Sequence, residues 1–239
     1  GTIFLTNLKN GGLIFTQISS PAMVAIRGLN EEGEIDISRV RAVDLNGDKL
    51  TDFYIVTGWQ NEPVEDKIWI NQGCDASGKP SFKQFNGPTT IVHGYVSKAK
   101  NDISSIRLVD IQGDGAKDVY VLTSGGDSPI ADKIFLGFGN GTFDGGKTIT
   151  GPLTTVRSSV TAAASDIARI HVLDMNGDNA VDVLCMACTN KFTDTVVFFG
   201  TGSGFGEAVA GPVLKIRNEL IAAQIDLSRM HPLEWNGDA

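Results

Sequence analysis

The fold is decided by a stretch that reads DISRVRAVDLNGDKLTDFYIVTG from residue 36 to residue 58. The same pattern returns from residue 102 as DISSIRLVDIQGDGAKDVYVLTS and from residue 166 as DIARIHVLDMNGDNAVDVLCMAC. A fourth copy starts at residue 226 as DLSRMHPLEWNGDA. The acidic residues that open the repeated loop are 66, 64 and 60 residues apart, which fits length changes in surface loops. The chain is therefore an array of internal repeats.

Each repeat contains about four short runs of β-branched and aromatic residues, bounded by Gly, Asn, Asp and Pro, which is typical of strands and turns. Four antiparallel strands per repeat match one blade of a β-propeller. We therefore predict an all-β fold, a β-propeller of four-stranded antiparallel blades, as a single domain over residues 1–239. A linear stack of sheets is the alternative, but a ring covers the apolar faces of all blades without end caps.

The unit boundaries follow from the repeat. We place them at 1–35 (partial), 36–101, 102–165, 166–225 and 226–239 (partial), which predicts a partial ring of about four repeats, truncated at both ends. An aspartate precedes an apolar triplet in each unit, and a GP pair follows the triplet. The alignment groups Asp66 with Asp132 and Asp194, and Trp69 with Phe135 and Val197.

Charge and hydropathy exclude two classes of partner. The net charge of -8 and the pI near 4.8 argue against nucleic acid, because phosphate binding needs a concentrated excess of Lys and Arg. No apolar stretch approaches the roughly 18 residues that a membrane-spanning helix needs, so we predict no membrane span in this chain.

The pattern DxNGDxxxD, which occurs three times, carries the most specific chemistry. Oxygen-bearing side chains at loop positions one, three, five and nine, with the carbonyl at position seven, make an all-oxygen set that suits Ca²⁺ better than Mg²⁺. We therefore expect about three calcium sites. The fourth copy is not counted, because it ends before its ninth position. The predicted ligands are Asp44, Asn46, Asp48, Leu50 and Asp52; Asp110, Gln112, Asp114, Ala116 and Asp118; and Asp174, Asn176, Asp178, Ala180 and Asp182.

Two further loop positions constrain the backbone. A glycine stands at the fourth position of every loop, where we expect a conformation that a side chain would obstruct. Lys49, Gly115 and Asn179 occupy the sixth position. Because Lys accepts a left-handed conformation less readily than Gly or Asn, the first loop is the expected weak site. Gln112 adds a methylene at position three and predicts looser binding in the second loop.

These features resemble the FG-GAP or VCBS repeats of integrin alpha-subunit propellers, propeller lectins and large bacterial surface proteins. The resemblance rests on DxNGDxxxD, on the strand DVYVLT at 118–123, and on the turn FLGFGNGTF at 135–143 before a GP pair. It implies a calcium-stabilised ring outside the cell or on its surface, engaged in adhesion or in recognition of glycans or proteins. The departures are Lys49, Gln112 and Glu234.

The expected function is therefore non-catalytic binding of an extracellular glycan or protein ligand. No nucleophile elbow, zinc-protease motif or phosphate-binding loop occurs in the sequence. Two alternatives stay open: the propeller of a polysaccharide-acting enzyme of the lyase or dehydratase type, and a purely structural repeat segment of a large surface protein.

Two features are candidates for ligand contact. A basic residue stands three positions before each loop and would line an innermost strand as a site for an acidic sugar or carboxylate; these residues are Arg41, Arg107, His171 and His231. The alternative is that they pair with the recurrent aspartates Asp36, Asp102, Asp166 and Asp226, or with the next blade. Trp59 lies in a variable loop, where it would stack on a sugar ring or anchor a protein, or else pack against Pro63.

Three cysteines do not make a disulfide framework. Cys185 and Cys188 form a CxxC pair inside a predicted strand, without a second pair to complete a zinc site. We interpret them as two buried or half-buried thiols, and the sequence leaves the role of Cys74 open.

Overall fold

The computed structural model describes residues 2–9, 12–19, 40–57, 63–76, 78–91, 106–122, 130–154, 170–186 and 195–211. In this part of the chain the regular elements are all strands, so the all-β prediction is confirmed. The strands are β1 (Thr2–Lys9), β2 (Gly12–Ser19), β3 (Val40–Val43), β4 (Asp52–Ile55), β5 (Pro63–Cys74), β6 (Pro80–Ile91), β7 (Ile106–Val109), β8 (Asp118–Val121), β9 (Ile130–Phe135), β10 (Thr150–Thr154), β11 (Ile170–Leu173), β12 (Asp182–Met186), β13 (Thr195–Gly200) and β14 (Phe205–Ala210).

The strands form one two-stranded hairpin and three four-stranded antiparallel sheets. The hairpin pairs β1 with β2. The first sheet has the order β3-β4-β5-β6, the second β7-β8-β9-β10 and the third β11-β12-β13-β14. Each is a simple meander in which every strand pairs with its neighbour in sequence, and each covers one predicted unit. Four strands per repeat is therefore the observed organisation.

The second sheet is buried on both faces, and the two-residue period of β8 explains how. Val119 and Val121 pack against the first sheet, in a cluster that includes Tyr54 and Ile68. The intervening Tyr120 belongs to a second cluster that holds Ile170, Val183 and Phe198 of the third sheet. Every residue of β8 is buried. The three sheets therefore pack face to face in sequence order.

The register corrects the sequence alignment of the third unit by one residue. Phe53 lies opposite Trp69 and Val119 lies opposite Phe135, but Val183 lies opposite Phe198. The grouping of Trp69 with Val197 was therefore wrong. By the same shift, Thr195 occupies the place that Asp66 and Asp132 occupy in the first two sheets, whereas Asp194 lies outside the described residues. The third unit is one residue shorter between the ninth loop position and this place, and only strand pairing shows where the residue is missing.

A tight turn of the second sheet packs on the first. Gly141 has a φ of +88°, and a Cβ there would lie 2.7 Å from the ring of Phe85. The turn FLGFGNGTF that carried part of the family resemblance is thus an inter-sheet contact. Among the described residues, no helix is long and apolar enough to cross a bilayer.

Candidate metal centre

Each DxNGDxxxD loop joins the first two strands of a sheet. The first loop connects β3 to β4, the second β7 to β8 and the third β11 to β12. The aspartate at position nine opens the second strand in all three cases, as Asp52, Asp118 and Asp182. The expectation that the loop joins two strands is confirmed.

The aspartate at position one closes the loop on itself. In the first loop, Asp44 Oδ1 accepts the Gly47 N–H at 2.8 Å and Oδ2 accepts the Lys49 N–H at 2.8 Å. The other loops repeat both bonds, with acceptors Asp110 and Asp174. One carboxylate thereby accepts hydrogen bonds from two backbone N–H groups that, because the loop is tightly curled, have no partner in a β-sheet.

Positions three and five make a second layer of bonds. Asp48 Oδ1 accepts the N–H of Leu50 at 2.8 Å, and Asp48 Oδ2 accepts from Asn46 Nδ2 at 2.9 Å. The third loop shows the same two bonds. In the second loop the backbone bond to position seven is kept, from Ala116 N–H to Asp114 Oδ1 at 2.9 Å.

The aspartate at position nine is buried and binds backbone in two places. Asp118 Oδ2 accepts the N–H of Ile111 within its loop, and Oδ1 accepts the N–H of Gly137, both at 2.8 Å. Asp52 and Asp182 make the same two kinds of bond, one within the loop and one to a residue of the third strand of the sheet. These bonds are Leu45 N–H to Asp52 Oδ2, Asn71 N–H to Asp52 Oδ1, Met175 N–H to Asp182 Oδ2 and Gly200 N–H to Asp182 Oδ1. The ninth position therefore ties each loop to its sheet, a role the sequence did not reveal.

The backbone conformation agrees with the glycine prediction. At position four the φ angles of Gly47, Gly113 and Gly177 are 78°, 73° and 77°. At position six, Lys49 and Asn179 have φ angles of 68° and 65°, the positive-φ non-glycine residues among those described. Position six is thus left-handed in the first and third loops as expected, and the strain falls on Lys49 more than on Asn179.

The three loops also contact one another in a row. A Cβ on Gly47 would lie 2.9 Å from the carbonyl oxygen of Gly115, and one on Gly113 would lie 3.3 Å from that of Asn179. The Lys117 N–H donates to the Leu45 carbonyl at 2.9 Å. Position four of the first and second loops thus faces position six of the following loop, and a side chain there would disturb two loops.

The electrostatics of the loop favour a cation. Burial raises the pKa of Asp118 to about 6, against hydrogen bonds from Gly137 and Ile111 that lower it, and the charges of Asp114 and Asp110 raise it further. The pKa of the ninth-position aspartate in the first loop is raised too, first by burial. The charges of Asp110 and Asp114 thus act unfavourably on an ionised Asp118, and a divalent cation bound in the loop would relieve that repulsion.

The donor set fits calcium. An ionised carboxylate offers about four lone-pair sites, so the aspartates of positions one and five keep acceptor capacity after their backbone bonds. Side-chain oxygens and the carbonyl at position seven are the ligands that a hard cation prefers. Among the described residues, no three Asp, Glu, His or Cys side chains form a preformed metal cluster. In each loop the candidate ligand oxygens lie on one short segment and accept hydrogen bonds from backbone N–H groups.

The predicted basic column lies on the edge strands. Arg41, Arg107 and His171 are half-buried on β3, β7 and β11, opposite Tyr54, Tyr120 and Leu184 respectively. Tyr120 packs toward the third sheet, and Arg107 lies near enough to influence its pKa, although burial dominates and raises it. Arg41 and Arg107 share the face that packs on the next sheet, which favours the packing alternative for these two residues. Ligand contact stays a prediction for all three.

Several predicted residues lie outside the described residues: Trp59, His231, Cys188, the recurrent aspartates Asp36, Asp102, Asp166 and Asp226, and the fourth copy of the loop. Of the other cysteines, Cys74 is free and exposed. Cys185 is buried and disulfide-bonded, so the prediction of a thiol there was wrong. Sequence spacing does not show which sulfur atoms come within bonding distance.

Sequence reasoning missed a buried polar network behind the loops. Tyr54 Oη donates to Asp66 Oδ2 at 2.6 Å, and Tyr120 Oη donates to Asp132 Oδ2 at 2.6 Å. The recurrence of the aspartate was visible in the sequence. Its partner was not, because a tyrosine in a strand usually indicates core packing.

Comparisons with known proteins do not assign this chain to a family. No family model matches the sequence, and no curated protein matches it. Among solved structures, the chain is similar to part of the Tc holotoxin pore of Photorhabdus luminescens, at 15% identity and a TM-score of 0.47. The match covers 90% of this chain and 9% of that chain, so this chain spans a small part of that protein's length.

Proposed function

We propose that this chain is a calcium-stabilised segment of an extracellular β-propeller of the FG-GAP or VCBS type, and that it binds a glycan or protein ligand without catalysis. The observation that carries the proposal is that the same loop occurs three times with the same pattern of hydrogen bonds. In each copy the first aspartate accepts the N–H groups of positions four and six. Ordinary turns would satisfy those donors without placing a carboxylate at position five and another at position nine.

Calcium would be held by each loop's own oxygens. In the first loop these are Asp44, Asn46, Asp48, Asp52 and the carbonyl of Leu50. A bound cation would neutralise carboxylates that otherwise repel one another across the loop, and its role would be structural. Because binding to the folded state alone stabilises that state, calcium should raise the free energy of unfolding.

The packing of the sheets supports the propeller. Three meanders of identical strand order lie face to face, and the clusters between them include Tyr54 and Val119 at one interface and Tyr120 and Val183 at the other. Propeller blades are built in this way, with the first strand of each blade innermost. A location outside the cell is supported by disulfide-bonded Cys185, because disulfides persist in oxidising compartments.

The first experiment is calorimetric titration of Ca²⁺ into chelator-treated protein, with thermal melts at zero and saturating Ca²⁺. We expect about three bound ions and a clear rise in melting temperature. Asp114→Asn should remove about one ion, because it replaces a carboxylate ligand of the second loop by a neutral amide whose oxygen can still accept the Ala116 N–H. The matched control is Asp75→Asn, since Asp75 is also an exposed aspartate in a turn but lies outside the loops.

Absence of binding and of any thermal shift would mean that the loops are ordinary turns, and the proposal would fail. If calcium binds, a screen of glycans and extracellular proteins against the loaded chain tests the second half. A saturable organic ligand supports recognition, whereas calcium as the one ligand found would favour a purely structural role.

A further inference from the structure

A carboxylate with no solvent exposure joins three strands of the first sheet. Asp66 of β5 is 0% exposed. Its Oδ2 accepts the hydroxyl of Tyr54 from β4 at 2.6 Å and the hydroxyl of Thr90 from β6 at 2.7 Å. Its Oδ1 accepts the N–H of Thr57, just after β4, at 2.9 Å. The hydroxyls of Tyr54 and Thr90 and the N–H of Thr57 thus all donate to one carboxylate. Because these donors come from the strands on either side of β5, the charge of Asp66 affects both neighbouring strands.

The surroundings of this cluster are apolar. Tyr54 belongs to the core between the first two sheets, and the second sheet contributes aliphatic and aromatic side chains to that core: Ile106, Val119, Val121 and Phe135. On β3, Arg41 stands opposite Tyr54 and is the charged residue of that strand on this face. On β5 itself, Glu65 and Lys67 flank Asp66 in sequence and so point to the opposite face. Two lysines share this face, Lys83 opposite Ile70 on the first sheet and Lys133 opposite Val121 on the facing sheet. Both are exposed, and each ammonium group lies over a phenylalanine ring, so neither forms a described ion pair with Asp66.

This environment disfavours the ionised carboxylate. Burial raises the pKa of Asp66 from its ordinary value of 3.8 to about 6, although hydrogen bonds from Tyr54, Thr57 and Thr90 lower it. Burial also raises the pKa of Tyr54 well above 10, and the charge of Asp66 adds to this, so the phenol stays a donor. The proton that moves near neutral pH is the one on Asp66.

We propose that the cluster of Tyr54, Asp66 and Thr90 is an acid-strengthened latch, in which proton uptake by Asp66 on mild acidification tightens the first sheet and its contact with the second. This device does not depend on calcium. Protonated Asp66 can donate as well as accept, and the hydroxyls of Tyr54 and Thr90 can turn to accept, so the network survives the proton. What disappears is the cost of a buried charge.

The direction of the effect follows from linkage. A carboxyl whose pKa is higher in the folded than in the unfolded state binds more protons when folded, so stability falls as pH rises through that window. For Asp66 the window runs from its unfolded value of 3.8 to about 6. Between pH 7 and pH 5 the unfolding equilibrium constant should fall about tenfold through this group alone. Below the pH window, protonation of Asp66 adds no further stability to the folded state.

The experiment measures urea unfolding of metal-stripped protein between pH 5 and pH 7. Other groups titrate in the same range, including Asp118, so the comparison is between variants. Asp66→Asn cannot take up the proton. Between pH 7 and pH 5 its unfolding constant should therefore fall about tenfold less than that of the wild type. Asp75→Asn, in an exposed turn, should keep the whole wild-type change. An unchanged pH dependence in Asp66→Asn overturns the proposal.

Tyr54→Phe provides the second test and applies even if Asp66→Asn fails to fold. Removing the Tyr54 hydroxyl deletes a bond that favours the ionised carboxylate. The stabilisation by acid should therefore begin at a higher pH in Tyr54→Phe than in wild type. A merely structural role for Tyr54 would lower stability equally at every pH, and that parallel shift would refute the latch.

Discussion

The first and third sheets have the same outline and the same loop, but their interiors differ. Both are four-stranded meanders whose ninth-position aspartates, Asp52 and Asp182, bind backbone in the same two places. Behind the loop, the first sheet buries Tyr54 against Asp66. The third has Leu184 at the tyrosine position.

The difference teaches which part of the repeat needs a fixed residue. The loop must satisfy its own N–H groups on a short segment, so its aspartates recur in all three copies. The interior must only fill space and satisfy what it buries. Both an apolar Leu184 with Thr195 and a hydrogen-bonded Tyr54 with Asp66 meet that demand.

The largest expected effect tests what the two sheets share. Asp52→Ala and Asp182→Ala each leave one buried and one partly buried backbone N–H group without its acceptor. Each should lower the free energy of unfolding by about 2–5 kcal/mol. Urea unfolding would measure the loss in each variant. Similar losses in both sheets support a common anchoring role. A small loss in either variant would contradict the interpretation that the ninth-position aspartate anchors the loop to its sheet.

An intermediate effect comes from exchanging the interiors. Tyr54→Leu alone should cost about 1–3 kcal/mol, because Asp66 loses a hydrogen bond while staying buried. The double variant with Asp66→Thr imports the arrangement of the third sheet and should recover part of that loss. A double-mutant cycle by chemical denaturation should show a coupling of about 0.5–3 kcal/mol. Strict additivity would mean that the two residues do not form a unit.

The smallest expected effect sharpens the comparison of the loops. Lys49 holds a left-handed conformation that glycine adopts freely. Lys49→Gly should therefore stabilise the protein by no more than about 1 kcal/mol, since glycine also gains freedom in the unfolded chain. Asn179→Gly should gain less, because Asn tolerates this conformation. Thermal melts of the two variants would contradict this account if Asn179→Gly gained more.

Sequence reasoning reached the loops because their structure is local. Asp44 bonds to N–H groups three and five residues away, so spacing alone predicts the curl. The positive φ angles at positions four and six follow from the same short segment. It failed for the third unit, where Thr195 and not Asp194 takes the buried place, because a loop of altered length hides the register. The disulfide at Cys185 was missed for a similar reason.

By itself the sequence determined the repeat, the strands of each unit and the left-handed positions in each loop, because hydrophobic period and short-range hydrogen bonds encode them. The tertiary structure alone decided three other features. The ninth aspartate binds beyond its loop, as in the bond from Gly137 to Asp118 across 19 residues. Neighbouring loops touch, and Tyr54 meets Asp66 inside the core. These contacts depend on how distant strands pair and pack, which no local pattern specifies.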